Sequence, residues 1–140
     1  MNNKEKAVRL FRSGYSCSQS VLMSFTGETG EFARVASAFG GGMGRMQKTC
    51  GAVTGAYIWL GIAYGVPGVP SDEQKSRVYD RVREFNRLFV KRNGSDLCSE
   101  LLGEDLSSDE GRKNIAKFGL SEKVCEKCIS DTVEIIDMLK

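Results

Sequence analysis

Apolar residues recur every three or four positions along almost the whole chain, and no segment alternates apolar and polar residues as a half-buried β-strand does. The first predicted helix runs from about Asn3 to Arg12 and stops at Gly14. The second begins with Ser16–Gln19, a capping box in which two side chains satisfy each other's free backbone donors. A third helix spans roughly Glu31 to Phe39, and its buried side is expected to carry Phe32, Val35, Ala36 and Phe39.

A glycine-rich segment at residues 40–45 interrupts this pattern and predicts an irregular loop, because glycine makes helix costly. We expect Thr49 to cap a fourth helix that begins at Cys50 and ends near Tyr64. No charge occurs from Cys50 to Pro70, but glycines and prolines dilute this stretch too far for a transmembrane span. The prediction is therefore a buried central helix whose small residues let a neighbouring helix approach closely: Gly51, Ala52, Gly55 and Ala56. The helix from Gly51 to Tyr64 could serve a homodimer interface as well as an internal core.

The second half of the chain is also helical in pattern. A capping box at Ser71–Gln74 opens a long helix that reaches about Arg92 and ends at Asn93–Gly94. Short helices follow near residues 98–102 and after Ser108, and a last helix runs from about Ser121 to Leu139. The expected inward residues of the long and last helices are Val78, Val82, Phe85, Phe89, Ile129, Val133 and Ile136. The pattern predicts an all-α fold, an irregular multi-helix bundle forming a single domain over residues 1–140.

Composition and charge narrow the classes of partner. With 140 residues, 41% hydrophobic and 27% charged, the chain can build one globular core. A net charge of +2 gives no reason to expect nucleic acid or a membrane surface as partner. The arginines at 77, 81, 83 and 87 stand among acidic residues at helical spacing, which favours a solvated face. The amino-terminal residues lack the apolar core of a secretory signal, so we expect a cytoplasmic protein.

Five cysteines and no histidine define the available chemistry. The absence of histidine excludes Ser-His and Cys-His nucleophile pairs and mixed Cys/His zinc sites. In a reducing compartment, five cysteines indicate reactive or metal-binding thiols rather than a structural disulfide framework.

The candidate site residues are Cys17, Cys50, Cys98 and Cys125, which all fall near predicted helix starts. Free backbone N–H groups and the helix dipole stabilise an anion there, so each thiol is expected to have a lowered pKa and an increased thiolate fraction. The competing interpretation is that each cysteine is a small buried hydrophobe. Cys125–Cys128 forms a Cys-x-x-Cys pair typical of dithiol redox motifs, although Cys128 could equally be a packing residue.

The glycine segment lacks the Gly-Lys-Ser/Thr ending of a phosphate-binding loop. We expect it instead to let the backbone approach the thiols closely. Arg45 and Lys48 could add positive potential near Cys50, or simply be exposed to solvent.

Five sequence segments together carry a family resemblance: Ser-Cys-Ser-Gln-Ser-Val-Leu around Cys17, Phe-Gly-Gly-Gly-Met-Gly-Arg, Cys50-Gly-Ala-Val-Thr-Gly, Cys98-Ser-Glu-Leu-Leu-Gly, and Cys125 near the end. Over about residues 4–139 the chain resembles the C-GCAxxG-C-C family of redox-active proteins. The resemblance implies that the family's characteristic cysteines are Cys17, Cys50, Cys98 and Cys125, with Cys128 an addition in this chain. It implies redox activity without naming a substrate.

Two functional hypotheses follow. In the first, the protein is a thiol–disulfide oxidoreductase in which Cys50 attacks and Cys17, Cys98 or Cys125 resolves the mixed disulfide, with a redox partner that the sequence does not specify. In the second, the same four cysteines bind zinc or an iron–sulfur cluster. The long gaps between the cysteines weaken the second hypothesis, because such sites usually have paired short spacings.

Overall fold

The computed structural model describes residues 1–139, so Lys140 of the predicted domain lies outside the described residues. Over this range the chain forms eight α-helices and no β-strand, and the predicted all-α fold is confirmed. The helices are α1 (Asn3–Arg12), α2 (Cys17–Thr26), α3 (Gly30–Val35), α4 (Gly51–Tyr64), α5 (Asp72–Asn93), α6 (Cys98–Leu102), α7 (Asp109–Lys117) and α8 (Glu126–Met138). A 3-10 turn at Ser37–Phe39 follows α3, and a π-helical turn at Ser121–Cys125 precedes α8.

Local capping explains why several helices begin where the sequence predicts. Ser16 and Gln19 form a complete capping box at the start of α2, and Ser71 and Gln74 form another at α5. The α5 helix ends at Gly94, whose left-handed conformation (φ 83°) suits glycine. These boundaries confirm the predictions. The sequence could predict them because each boundary depends on residues only a few positions apart.

The third helix differs from its prediction. It ends at Val35, and Val35 is 51% exposed rather than buried. The hydroxyl of Ser18 donates to the Ala36 carbonyl oxygen at 2.8 Å, an acceptor that a continuous helix would use for its own backbone. This tertiary hydrogen bond buries Ala36 and favours a 3-10 turn after it.

The start of the last helix also differs. Ser121 does not cap it, since Leu120 already has helical backbone angles and no side-chain cap is present. The chain instead makes one wide π turn before α8. Cys125 therefore ends a π turn and does not lie at a free helix start.

The core forms around α4, which packs mainly against α2, α5 and α8. A Cβ atom on Gly55 would lie 2.7 Å from the Ser18 carbonyl oxygen, so the backbones of α2 and α4 are in close contact. The predicted close approach of a neighbouring helix is confirmed. Among residues 1–139, none of the helices combines the length and the apolar character needed to cross a bilayer.

Three of the four arginines that the sequence placed on a solvated face of α5 have a nearby partner. Arg87 pairs with Glu84 at 2.7 Å, and Arg83 pairs with Asp80, both within the helix. Arg81 lies over the ring of Tyr64 at 3.7 Å. These contacts agree with the solvated face that the charge pattern predicts.

Candidate functional site

One cavity of about 520 Å³ brings together all five cysteines of the chain. It lies among the glycine loop, the starts of α2 and α4, the α6 helix, and the π turn that leads into α8. All five cysteines are free thiols. The residues predicted for the site therefore lie on a common surface, together with Cys128.

Cys17 is the first residue of α2, directly after the capping Ser16, as predicted. A Cβ atom on Gly51 would lie 3.1 Å from the Cys17 Cβ atom. The start of α4 thus rests against Cys17 because Gly51 has no side chain. Cys17 and Cys50 are neighbours although 33 positions separate them in the sequence.

Cys50 is the N-cap of α4, one position earlier in the helix than predicted. The expected cap, Thr49, forms an isolated antiparallel β-bridge with Leu97 instead. Backbone hydrogen bonds flank this bridge: the Cys50 N–H donates to the Asp96 oxygen at 2.7 Å, and the Cys98 N–H donates to the Lys48 oxygen at 2.7 Å. The bridge holds Thr49 extended and places Cys50 and Cys98 side by side.

Cys50 forms a close pair with Cys128. The Cys128 thiol donates a hydrogen bond to the Cys50 sulfur, and this donor lowers the pKa of Cys50. The amide groups of Val53 and Ala52, in the first turn of α4, lower it further, whereas burial and the charge of Asp96 raise it. The same hydrogen bond, together with burial, raises the pKa of Cys128. At neutral pH, Cys50 is the member of the pair that carries the negative charge more readily.

Cys17 and Cys125 form a second close pair. The Cys17 thiol donates a hydrogen bond to Cys125, which lowers the pKa of Cys125 against the opposing effect of burial. The pKa of Cys17 is raised well above its ordinary value by that hydrogen bond and by burial. The donor thiol, rather than a helix start, is the cause of the lowered pKa at Cys125.

Cys98 occupies the first position of the short helix α6, yet its pKa rises to about 12. Burial is the main cause, because the residue is only 8% exposed and its charged form loses solvation. The expectation that helix starts lower the pKa of all four thiols is therefore wrong for Cys17 and Cys98. It holds in direction for Cys50, and for Cys125 through a different cause.

The glycine loop forms one wall of the cavity. Five successive residues, Gly41 to Arg45, have positive φ angles between 59° and 73°. A Cβ atom on Gly42 would lie 2.8 Å from the Cys98 Cβ atom, so a larger residue would not fit. The predicted close approach of this backbone to the thiols is confirmed. Arg45 also lines the cavity.

Gln47 fixes the loop against the segment after α6. Its side-chain amide donates to the Glu104 carbonyl oxygen at 2.7 Å, and its side-chain oxygen accepts from the Leu106 N–H at 3.0 Å. It also contributes a side-chain hydrogen bond to Cys98. No local pattern in the sequence marks Gln47 for this role.

Cys128 has a closer place in the site than the sequence indicated. It is 2% exposed and lies against Cys50, not in an unrelated part of the core. The available signal was its spacing from Cys125, because residues three apart share one face of a helix. Burial of that face against α4 is what places Cys128 beside Cys50.

Four of the five thiols form two close pairs, Cys50 with Cys128 and Cys17 with Cys125. Within residues 1–139, no group of three or more histidine, cysteine, aspartate or glutamate side chains is placed so that it could hold one metal ion. The alternative in which Cys17, Cys50, Cys98 and Cys125 bind zinc or an iron–sulfur cluster stays a prediction from the sequence.

Comparison with known proteins supports the cysteine pattern. A family model described as "Putative redox-active protein (C_GCAxxG_C_C)" matches residues 15–139. Neither the curated proteins nor the solved structures provide a significant match.

Proposed function

The chain belongs to the C_GCAxxG_C_C family of redox-active proteins, and from that premise we propose that its cavity performs thiol–disulfide exchange with Cys50 as the attacking thiolate. The observation that carries this proposal is the environment of the Cys50 sulfur. One neighbouring thiol, Cys128, and two helix amides, those of Ala52 and Val53, all favour its anionic form. The thiolate is the reactive species in such exchange.

Cys128 is the best-placed resolving thiol. The sequence left Cys17, Cys98 or Cys125 for this role, but the hydrogen bond between Cys128 and Cys50 favours Cys128. The Cys50 thiolate attacks one sulfur of a substrate disulfide, forms a mixed disulfide and releases the first substrate thiolate. Cys128 then attacks the Cys50 sulfur, its proton passes to the released thiolate, and the second substrate thiolate leaves. Two electrons pass to the substrate, and a Cys50–Cys128 disulfide remains.

The position of the sulfurs favours a small substrate. Cys50 is 7% exposed and Cys128 is 2% exposed, so a disulfide on the surface of a folded protein cannot reach them without rearrangement. A cavity of about 520 Å³ has room for a small-molecule disulfide.

The experiment uses fully reduced protein and one equivalent of hydroxyethyl disulfide, followed by acid quenching, alkylation and peptide mass spectrometry. We expect the wild-type protein to lose two free thiols. The Cys128→Ser variant is expected to accumulate a mixed disulfide between Cys50 and 2-mercaptoethanol, because the adjacent resolving thiol is absent. The Cys98→Ser variant is the matched control, since Cys98 has no partner role in the proposed exchange.

The proposal fails if all five thiols stay free under conditions that oxidise dithiothreitol. It also fails if Cys50→Ser consumes the disulfide at the wild-type rate. Metal analysis and the visible spectrum of anaerobically purified protein test the alternative, because four thiolates bound to a cluster would give colour and would be unavailable for exchange.

A further inference from the structure

The proposed exchange leaves the second pair, Cys17 and Cys125, unused. These two residues line the same cavity as Cys50 and Cys128, and their thiols are joined by a hydrogen bond. Each pair thus contains one proton-donating thiol and one acceptor sulfur. The cavity therefore holds a second dithiol that is arranged like the first, and it too could take part in the exchange.

The Cys-x-x-Cys motif connects the two pairs. Cys125 belongs to one pair and Cys128 to the other, and both lie where the π turn enters α8. Residues three apart on a helix share a face, so the two sulfurs project toward the same side. One path through the four sulfurs therefore runs from Cys50 to its partner Cys128, across the Cys-x-x-Cys spacing to Cys125, and on to its partner Cys17.

The two pairs differ in exposure. Cys50 and Cys128, the inner pair, are buried, at 7% and 2% exposure, whereas Cys17 and Cys125, the outer pair, are half-buried. A disulfide on the outer pair is therefore more accessible to a reductant than one on the inner pair.

We propose that Cys17 and Cys125 are a second redox couple, which takes over the disulfide formed at Cys50–Cys128 through a Cys125–Cys128 intermediate and presents it to an external dithiol reductant. This inference rests on the proposed function, because it requires the inner disulfide to form first.

Each step balances in atoms and electrons. The Cys125 thiolate attacks the Cys128 sulfur of the inner disulfide, so the Cys125–Cys128 bond forms and Cys50 leaves as a thiolate next to the α4 amides. Cys17 then loses its proton and attacks the Cys125 sulfur, and Cys128 leaves and takes up that proton. The inner pair is reduced by two electrons and the outer pair is oxidised by two. A dithiol such as dithiothreitol finally reduces Cys17–Cys125 and becomes a cyclic disulfide.

Peptide mapping can distinguish every species in this series. Lys127 lies between Cys125 and Cys128, so trypsin places the two cysteines on separate peptides and a disulfide between them is directly detectable. With one equivalent of hydroxyethyl disulfide, we expect wild-type protein to yield the Cys17–Cys125 disulfide. Cys17→Ser should stop at Cys125–Cys128, and Cys125→Ser should stop at Cys50–Cys128. Cys98→Ser should behave as wild type.

The Cys50→Ser variant tests whether the outer pair depends on the inner one. We expect loss of Cys17–Cys125 formation, because the first thiolate of the series is missing. An unchanged rate in Cys50→Ser would show direct oxidation of the outer pair and overturn the relay.

Failure of the relay is distinguishable from failure of the proposed function. If wild-type protein stops at Cys50–Cys128 while Cys17 and Cys125 stay free, exchange occurs and the relay is wrong. If no thiol reacts, the proposed function itself is wrong. Far-UV circular dichroism checks that each variant is folded, and where Cys17→Ser is not, Cys17→Ala and Cys125→Ser carry the test.

Discussion

At the scale of single residues, the neighbours of a thiol decide its protonation more than its place on a helix. Cys17 and Cys98 are both first residues of helices, and the pKa of each is raised. Cys125 ends a π turn, and its pKa is lowered by the Cys17 thiol. Desolvation opposes the thiolate at every one of these buried positions, so a specific donor is needed to overcome it.

This view predicts a shift in the pH dependence of Cys50 reactivity. Replacing Cys128 with alanine removes the donor that contributes most to the lowered pKa of Cys50. A hydrogen bond to a charged group contributes about 1.5–3 kcal/mol, so its loss should raise the pKa of Cys50 and move its reactivity to higher pH. The measurement is the rate of Cys50 alkylation by iodoacetamide against pH, followed by peptide mass spectrometry.

Cys128→Ser is the matched control, because its hydroxyl can still donate to the Cys50 sulfur. We expect its profile to stay closer to wild type than that of Cys128→Ala. Identical profiles for wild type and Cys128→Ala would show that the helix amides alone control Cys50.

At the scale of helices, the contact of α2 with α4 sets the position of the site. Gly51 and Gly55 allow the two backbones to approach, and the same contact brings Cys17 beside the start of α4. Small residues four positions apart form one face of a helix, so the short sequence pattern has a direct structural use.

A side chain at Gly55 should force the two helices apart. In Gly55→Ala the new Cβ atom would meet the Ser18 carbonyl oxygen at 2.7 Å and the Val21 Cβ atom at 3.1 Å. Overpacking of this kind costs about 1–3 kcal/mol, and urea unfolding should show that loss in the free energy of unfolding.

Gly61→Ala is the control within the same helix. Nothing lies within 4 Å of its added Cβ atom, so helix propensity alone should raise the free energy of unfolding by about 0.5–1 kcal/mol. Equal effects of the two substitutions would contradict close packing of α2 on α4.

At the scale of the whole molecule, folding gathers five thiols from four separate stretches of the chain into one partly apolar cavity. Such burial has a thermodynamic consequence. A thiol that holds its proton more tightly in the folded state than in the unfolded state makes stability depend on pH.

Cys98 should therefore destabilise the fold at high pH. Its pKa rises from an ordinary 9.0 to about 12 on folding, so above pH 9 the unfolded chain releases a proton that the folded chain keeps. The contribution of Cys98 to the free energy of unfolding is fully present below pH 9 and is lost as the pH rises toward 12. The slope is roughly 1.4 kcal/mol per pH unit.

The measurement compares urea unfolding of wild type and Cys98→Ser at several pH values between 8 and 11, roughly the window set by the two pKa values. Serine does not titrate in this range, so the difference between the two proteins isolates Cys98 from lysines and tyrosines. A difference that does not change with pH would contradict the raised pKa of Cys98.

The sequence alone determined the helical class, most helix starts and the set of chemically relevant residues. Capping at Ser16 and Ser71 and the stop at Gly94 follow from residues near one another in the chain. The small residues of α4, four positions apart, likewise mark a face that another helix can approach, although they do not name that helix. Local hydrogen bonds and helical periodicity act over a few positions, which is why a pattern reveals them.

Only the tertiary structure decided which sulfurs are neighbours. The bridge of Thr49 with Leu97, the hydrogen bond from Ser18 to Ala36 and the pairing of Cys128 with Cys50 each join residues far apart in the chain. Helical periodicity does not encode such contacts, because they arise when whole faces bury one another. The protonation of the cysteines depends on those contacts, so the sequence could name the thiols but could not assign their roles.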